Sequence, residues 1–580
     1  MSQETVLGLN AYHGDASAAL LIDGELVAAI EEERLNRVKH WAGFPSDSIR
    51  FCLAEADLTP GQIDHVAISF DPRANLARRV GFVLQNRPSP RSVLDRLRRG
   101  RKAEGIESQL ASALDVRESE LPCRIHRVEH HHTHLASAFL GSPFDEAALL
   151  SIDGMGDFVS TMTATARGTD WTVLDRVFYP HSLGFLYNAI TLYLGFPHYG
   201  DEYKVMGLAP YGKPTFLDEF RRIISPRGNG FALDLSYFTH HRTGIRMAWN
   251  DGAPRVEPFH SQKLEEALGP PRQSGEECTE HHENIARSLQ AVTEEIILHL
   301  AERLHARTGQ RRLCLAGGVA MNSVANGKIQ RETAFEELFV PAGAADNGTA
   351  IGAALQVWNR VLGRPRAFVQ THAYTGNAFS DEACREAAES GREEGDTITT
   401  LDRDALLDHV VSAILDGKVV GWFQGRMEFG ARALGNRSLI ADPRRTDMRD
   451  IINLRIKFRE KFRPFAPSIL ADHVGDWFDP AEPSPFMERV LPIRPERHTE
   501  IPAVTHVDGS GRLQTVEKET NPLYYDLIDR FRERTGVPIL LNTSLNENEP
   551  IVATPEQALA CYHRTAMDMI VLGRTVVERA

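Results

Sequence analysis

Nowhere in the sequence do apolar residues run for the ~18 positions that a membrane-spanning helix needs, so no membrane partner is expected. Cysteine is scarce: Cys52, Cys123, Cys278, Cys314, Cys384 and Cys561 stand singly in 580 residues, with no C-x-x-C. That spacing supplies neither a disulfide framework nor a cysteine zinc site, and it points to a cytoplasmic chain. Positive charge is outnumbered, with 65 Lys and Arg against 79 Asp and Glu and a net charge of −14. A protein that coats nucleic acid needs the opposite balance, so no nucleic-acid partner is expected. The segment MSQETVLGLNAYHG has no basic stretch followed by a long apolar one and reads directly as a strand, so no signal peptide is expected.

What is present is an ordinary globular composition, 42% hydrophobic and 25% charged. The length exceeds one core, and two or three packing units follow. The N-terminal residues read as a meander: strand VLGLN, strand SAALLID, the tight turn Asp23-Gly24, strand ELVAAIEEE. The layout recurs over residues 147–178 as strand AALLSID, turn GMGD, strand STMTATAR, a turn at Gly168 and strand WTVLDRV. A third strand-to-glycine turn, RRLCLAGGVAMNS, precedes a helical pattern. Repeated glycine-and-acid turns after strands suit the actin, sugar-kinase and Hsp70 fold, in which turns from two halves converge on phosphates. Glycine lets backbone N–H groups approach anionic oxygens, and helix N-termini add partial positive charge. Residues 280–306 and 349–362 have helical apolar spacing. Residues 363–400 are less regular, and we place a boundary there, giving domains 1–365 and 366–580. Residues 85–103, QNRPSPRSVLDRLRRGRKA, read as a solvated basic loop or helix, with the lip of a substrate site as the sharper reading.

The C-terminal part reverses the charge balance: residues 422–464 hold nine Arg and two Lys against five acids. GRMEFGARALGNRS spaces Arg426, Arg432 and Arg437 among glycines. NLRIKFREKFRPFAPS adds Arg455, Lys457, Arg459, Lys461 and Arg463, at alternate positions that would line one strand face. Phe429, Leu434, Leu439, Phe462 and Phe465 interleave with these cations, which a solvated charge run does not show. A partly buried anion pocket is the expectation, because arginine grips phosphate oxygens in a planar fork.

VEHHHTHLASAF, residues 128–139, puts His130, His131, His132 and His134 within five positions. On a helix His130 and His134 share one face at a separation that can hold a metal, while His131 and His132 point elsewhere. A zinc protease of the H-E-x-x-H type needs glutamate where His131 stands, so that reading loses its base. Two ligands do not complete a site. Asp346, in VPAGAADNGTAIGAA after a strand and at a helix start, is the candidate third. Taken alone, such a histidine pair also marks a packed or surface helix face.

Together, VLGLNAYHGDASAAL, EEERLNRVKHWAGFP, HHHTHLASAF, SIDGMGD, YKVMGLAPYG, LAGGVAMN, GRMEFGARALGNRS, RPFAPS and LNTSLNENEPI resemble the NodU/CmcH carbamoyltransferases, which place a carbamoyl group on a hydroxyl of nodulation oligosaccharides and antibiotics. The resemblance spans nearly the whole chain. It implies an α/β fold: a duplicated actin-like (ASKHA) N-terminal domain similar to the tRNA threonylcarbamoyl transferase, plus a C-terminal YrdC-like α/β domain. It implies a divalent metal of the Fe(II) kind on His130, His134 and Asp346. It implies adenylate contacts from Asp153, Gly154, Lys204, Gly317, Gly318 and Asn322. It implies that carbamoyl phosphate and ATP, with Mg(II), bind through Arg432, Arg437, Lys457, Arg463, Arg512, Asn542 and Ser544. The implied chemistry has two steps. Carbamoyl phosphate and ATP give carbamoyl adenylate, whose carbamoyl group then passes at the metal site to the hydroxyl of a small-molecule acceptor. Two polyanions need dense positive charge, and the C-terminal segment has it. His13 titrates near neutral pH and is the candidate base, with Asp15 to orient it or the substrate, and Lys39 and Lys204 to steady negative charge.

This sequence departs from the family pattern in two places. His13-Gly14-Asp15 carries a glycine where some members run His-Asp directly, and Ala431 follows Gly430 where proline is common. Residues 70–105 and 225–275 match no motif and are the expected acceptor-facing loops. Rival readings are a tRNA-modifying threonylcarbamoyl enzyme, an ATP-regulated actin-like binding protein and a sugar kinase. The first lacks a broad basic face for tRNA, and the other two leave the arginine-rich C-terminal part without a task. A homodimer is the default assembly.

Overall fold

A computed structural model describes residues 3–86, 88–89, 105–248 and 254–579. The basic stretch at 85–103 lies almost wholly outside them. The chain divides into two compact units, Met1–Gln370 and Thr371–Ala580.

The N-terminal unit holds two five-stranded sheets. The first consists of β1 (Thr5–Asn10), β2 (Ser17–Ile22), β3 (Glu25–Glu31), β4 (His65–Ile68) and β5 (Arg124–Arg127), in the order β3-β2-β1-β4-β5. The second consists of β6 (Glu146–Gly156), β7 (Val159–Arg167), β8 (Asp170–Phe178), β9 (Arg312–Ala316) and β10 (Glu337–Phe339), in the order β8-β7-β6-β9-β10. In each, an antiparallel meander of three strands is extended by two parallel ones. One layout therefore occurs twice, as the repeated glycine turns suggested. The β2–β3 turn has Asp23 at φ 50° and Gly24 at φ 89°, the positive pair that a tight hairpin turn requires.

The turn expected at GMGD is displaced. β6 continues through Gly156, with an irregular register after Ile152, and the chain reverses at Asp157 and Phe158, with φ values of 47° and 77°. The glycine has other work: a Cβ at Gly156 would lie 2.0 Å from the His130 ring.

Two helices meet between the sheets. Helix α1 (His130–Leu140) packs on β6 and β9, and helix α3 (Thr349–Leu355) packs on β1, β2 and α1. The long helix α2 (Glu280–Thr308) lies between them in sequence and ends at Gly309, whose φ is 64°. The small residues of TAIGAAL let backbones close up. A Cβ at Gly352 would lie 1.9 Å from the Thr133 carbonyl oxygen, and one at Gly8 would lie 2.0 Å from that of Ala350. This close stacking brings Asp346, just before α3, to the start of α1. The helix expected over 349–362 changes winding at Gln356, where a wider turn runs to Val361.

The C-terminal unit is built on a nine-stranded mixed sheet. Its strands are β11 (Asp396–Thr400), β12 (Val420–Phe423), β13 (Arg437–Ala441), β14 (Ala466–Leu470), β15 (Arg489–Pro492), β16 (Ser510–Val516), β17 (Ile539–Ser544), β18 (Met569–Leu572) and β19 (Thr575–Arg579). They lie in the order β11-β19-β18-β12-β13-β17-β14-β16-β15. The helices Arg403–Leu415 and Pro522–Thr535 pack on each other, as do Asp381–Ser390 and Pro555–Arg564. The strand face expected across NLRIKFRE is absent, because Met448–Arg455 is a helix. Met448, Ile452 and Ile456 recur every fourth residue and are all buried, a helical spacing that overrides the alternation of the charges. Among the described residues no helix is long and apolar enough to cross a membrane.

Candidate functional site

Helix α1 starts at the histidine run. Glu129 caps it by accepting the His132 N–H at 2.9 Å, and Asp157 accepts the His130 N–H at 3.0 Å. Two of the four imidazoles are occupied elsewhere. His131 bonds the Ser151 hydroxyl at 2.8 Å and the Val159 carbonyl at 2.9 Å. His132 Nδ1 accepts from the Trp171 indole at 3.0 Å.

His130 and His134 face each other, with their Nε2 atoms 3.0 Å apart. Asp346 Oδ1 lies 3.4 Å from His130 Nε2 and 3.5 Å from His134 Nε2, and Asp153 Oδ2 lies 3.7 Å from His130 Nε2. Both histidines are fully buried, and the two aspartates nearly so. Burial opposes charge on His130, Asp153 and Asp346, yet mutual attraction prevails. Asp346 is held well below the ordinary carboxylate range and Asp153 below it, while His130 is carried well above the usual imidazole value.

The four side chains fit a divalent cation. His130 Nδ1 lies 3.3 Å from the Ser69 carbonyl; donating there leaves the Nε2 lone pair for a metal, the usual arrangement around ligating histidines. Asp346 Oδ1 is buried with no hydrogen-bond partner. Two imidazoles and two carboxylates suit a first-row divalent ion.

Other residues singled out by sequence surround this cluster in different ways. Asp153, expected at the adenylate, stands in the cluster itself, and its second oxygen accepts the Gly318 N–H at 2.9 Å. Gly317, at φ 96°, would clash through a Cβ with the Ile152 carbonyl at 2.2 Å, so it sets the close approach of this turn to β6. The Gly154 carbonyl accepts from Ser182 at 2.7 Å. Asn322 caps the helix Ser323–Glu332 and exchanges hydrogen bonds with Gln290, so its amide is already committed. Lys204 pairs with Asp201 at 2.8 Å. The His13 ring packs 4.6 Å from that of His130, and burial, followed by His130, pushes it down to about 4. Asp15 does not orient His13; its carboxylate is 2.7 Å from His40 Nδ1. Lys39 is half-buried beside it in the chain.

In the C-terminal unit, Asn542 and Ser544 lie on β17, Arg437 opens β13 and Arg512 lies on β16. Arg432 and Arg463 come from loops. Arg512 is pressed well below its ordinary pKa by burial, then by Arg432, Arg459 and Arg463, and its Nε is buried without a hydrogen-bond partner. Arginine stays charged in proteins, so this gathering of cations calls for an anion. Arg437 is placed differently. Its guanidinium donates to the carbonyls of Asn377, Gln424, Gly425 and Asn436 and lies 3.7 Å over the Phe423 ring, tying loops together. Lys457 is also spent internally: its Nζ lies within 2.7 Å of the Ser544 and Asn546 carbonyls and the Asn546 side chain. The Asn542 amide donates to Ala433, Ser468 and Gln514, leaving its buried Oδ1 unpartnered.

Two family profiles match, Carbamoyltransferase N-terminus over residues 5–355 and Carbamoyltransferase C-terminus over residues 411–579. The chain belongs to the carbamoyltransferase family. It is 40% identical to an uncharacterized protein of Synechocystis sp., over 99% of this chain and 96% of that one. It is 38% identical to the Nodulation protein NolNO of Sinorhizobium fredii, over 98% of this chain and 80% of the relative. Among solved structures, component A of the (R)-2-hydroxyglutaryl-CoA dehydratase of Acidaminococcus fermentans aligns with a TM-score of 0.30 and 14% identity, covering 61% of this chain and 96% of that one.

Sequence reasoning passed over several residues that this carbamoyltransferase gathers at the two sites. Arg459 was visible in the basic run but not distinguished from its neighbours; it follows the helix ending at Arg455, and its Nε donates to the Asn453 side chain at 2.7 Å. Glu428 accepts the N–H groups of Leu434, Asn436 and Arg437 at 2.7, 2.7 and 3.2 Å, shaping the loop that carries Arg432. His40 and Tyr199 lie beside Asp15, and no spacing rule links positions so far apart.

Proposed function

We propose that this carbamoyltransferase makes carbamoyl adenylate in its C-terminal unit and transfers the carbamoyl group to an acceptor hydroxyl in its N-terminal unit. The observation that carries the reading is the gathering of Arg432, Arg459 and Arg463 close enough to Arg512 to depress its pKa, with the Arg512 Nε buried and without a hydrogen-bond partner. Such a cradle suits the phosphates of carbamoyl phosphate and Mg(II)-bound ATP. Water first cleaves carbamoyl phosphate to carbamate and phosphate, and attack of the carbamate oxygen on the α-phosphorus of ATP then forms the adenylate and releases pyrophosphate. Lys457, Asn542 and Ser544 fix the loops around the cradle, and the nine-stranded mixed sheet is compatible with the YrdC-like character expected of this unit.

His130, His134, Asp346 and Asp153 would hold a divalent ion of the Fe(II) kind, which when bound would supply Lewis-acid polarisation and a counter-charge for a phosphate. The chain's own residues do the rest. The Gly317–Gly318 turn offers close backbone N–H groups to an anion. His13 covers one side of the cluster, and the buried walls shield the adenylate from bulk solvent. The acceptor is a hydroxyl-bearing small molecule, and its selection belongs to the segments 70–105 and 225–275, which among the described residues are not plain loops but include the helices Leu76–Asn86 and Gln262–Leu268 and the strands Ile224–Arg227 and Gly230–Leu233.

Trapping tests this reading. Full-length protein incubated with ATP, Mg(II), carbamoyl phosphate and hydroxylamine should form hydroxyurea, and omission of either ATP or carbamoyl phosphate should abolish it. Hydroxyurea formed above background without ATP would remove the adenylate from the scheme.

A further inference from the structure

Away from the His130 cluster, Asp15, Glu33 and His40 form a second group of closely placed ionisable side chains. His40 Nδ1 is 2.7 Å from the Asp15 carboxylate, and the His40 backbone N–H donates to Glu33 at 2.7 Å. Asp15 (φ 55°) and His40 (φ 54°) both occupy the left-handed region. Residues other than glycine stay there only when their surroundings hold them, and they gather at functional sites. Two glycines keep the space around the pair clear. A Cβ at Gly200 would lie 2.5 Å from His40 Nε2, and one at Gly14 would lie 2.5 Å from the Tyr199 hydroxyl. The His40 and Asp15 side chains are 20% and 23% exposed, whereas those of His130 and His134 are fully buried.

A second metal is the alternative that such a trio suggests, and the charges oppose it. Arg34 already pairs with Glu33 at 2.8 Å, Lys39 adjoins His40, and the Asp15 oxygen is taken by the imidazole. What remains is a carboxylate–imidazole dyad. Asp15 accepts Nδ1–H, fixes the tautomer and leaves Nε2 as an acceptor. His13 has no such partner, and its Nδ1 is buried and unbonded.

We propose that His40, oriented by Asp15, is the general base that takes the proton of the acceptor hydroxyl during carbamoyl transfer, in place of His13. The acceptor oxygen bonds to the carbamoyl carbon, the bond from that carbon to the phosphate oxygen of the adenylate breaks, and AMP leaves with the electron pair. The hydroxyl proton passes to His40 Nε2. The dyad adjoins the metal cluster: Asp15 stands two residues after His13, whose ring packs 4.6 Å from that of His130, and the Tyr199 ring lies 5.5 Å from that of His40. Burial lowers the His40 pKa, but Asp15 and then Glu33 carry it above the ordinary value against Lys39. Arg34 backs Glu33, and Tyr199 and Glu202 also lie near the ring. The base form therefore grows as pH rises through a value above 6.5.

The proposal rests on the carbamoyl-adenylate reading, and its test separates the two. Full-length protein charged with ATP, Mg(II) and carbamoyl phosphate is offered water and glycerol as hydroxyl probes, and hydroxylamine as a probe that attacks as a neutral amine without prior loss of a proton. AMP and hydroxyurea are followed by rapid quench. His40→Gln should slow AMP release to water and glycerol by about 10²–10⁴-fold while hydroxyurea still forms. Asp15→Asn should shift the rising limb of the glycerol pH profile to lower pH, because the carboxylate no longer raises His40. Three outcomes overturn the proposal: unchanged hydroxyl rates in His40→Gln, hydroxyurea falling in step with them, or a wild type that reacts with hydroxylamine alone. Absence of carbamoyl-phosphate-dependent pyrophosphate release from the wild type would overturn the adenylate reading instead.

Discussion

At the scale of single residues, the cluster makes definite demands. His134→Ala and Asp346→Ala each delete a donor from a buried set, and elemental analysis after dialysis should show divalent metal retained by the wild type and lost by both. Loss of an outer partner typically weakens metal binding about 10–100-fold, and loss of a donor should exceed that. Glu129, the cap of α1, gives a pH prediction. Burial, followed by Asp157, pushes its carboxyl up to about 7 from an ordinary 4.5. Its folded value is raised, so its contribution to stability is complete below about 4.5 and is lost as pH rises through about 7. A shift of that size corresponds to roughly 3 kcal/mol. With metal removed by chelation, Glu129→Gln should match the wild type near pH 5 and be the more stable of the two near pH 8, as thermal unfolding would show. The pair His130 and His134 was legible in the sequence because helical periodicity puts them on one face. The Asp153 contribution was not, because no spacing rule joins a residue of β6 to a histidine pair on α1.

At the scale of elements, the site depends on how closely α1 and α3 approach. Gly352→Ala places a Cβ 1.9 Å from the Thr133 carbonyl, and overpacking of this kind destabilises by about 1–3 kcal/mol. It should also weaken metal retention, although Gly352 touches no ligand, because Asp346 precedes α3. Gly81→Ala, with nothing within 4 Å of its Cβ, should leave both unchanged. Paired measurements of unfolding temperature and metal content check this. Strands with apolar runs and a glycine turn were readable from sequence, as β1–β3 show. The turn after β6 was not, because Gly156 serves the His130 ring and the chain reverses one step later through Asp157, a common turn residue, and Phe158, which no turn rule favours at positive φ. The basic run misled in the same way: charges alternate as on a strand, while the buried Met448, Ile452 and Ile456 follow a helix.

At the scale of the molecule, the chain forms two compact units, and an otherwise acidic chain carries a basic run, residues 422–464, in the second of them. The family was legible from long motifs spread over nearly the whole sequence. Which arginines serve the anion was not, since Arg437 and Lys457 carry the same charge as Arg512 but spend it on backbone carbonyls. The account therefore predicts that the two half-reactions separate by mutation. The measurement that decides it is pyrophosphate release by the full-length protein with ATP and Mg(II), with and without carbamoyl phosphate, in the wild type, Arg512→Ala and His130→Ala. The account predicts carbamoyl-phosphate-dependent release that is lost in Arg512→Ala and kept in His130→Ala. Release that survives Arg512→Ala and disappears in His130→Ala would contradict it.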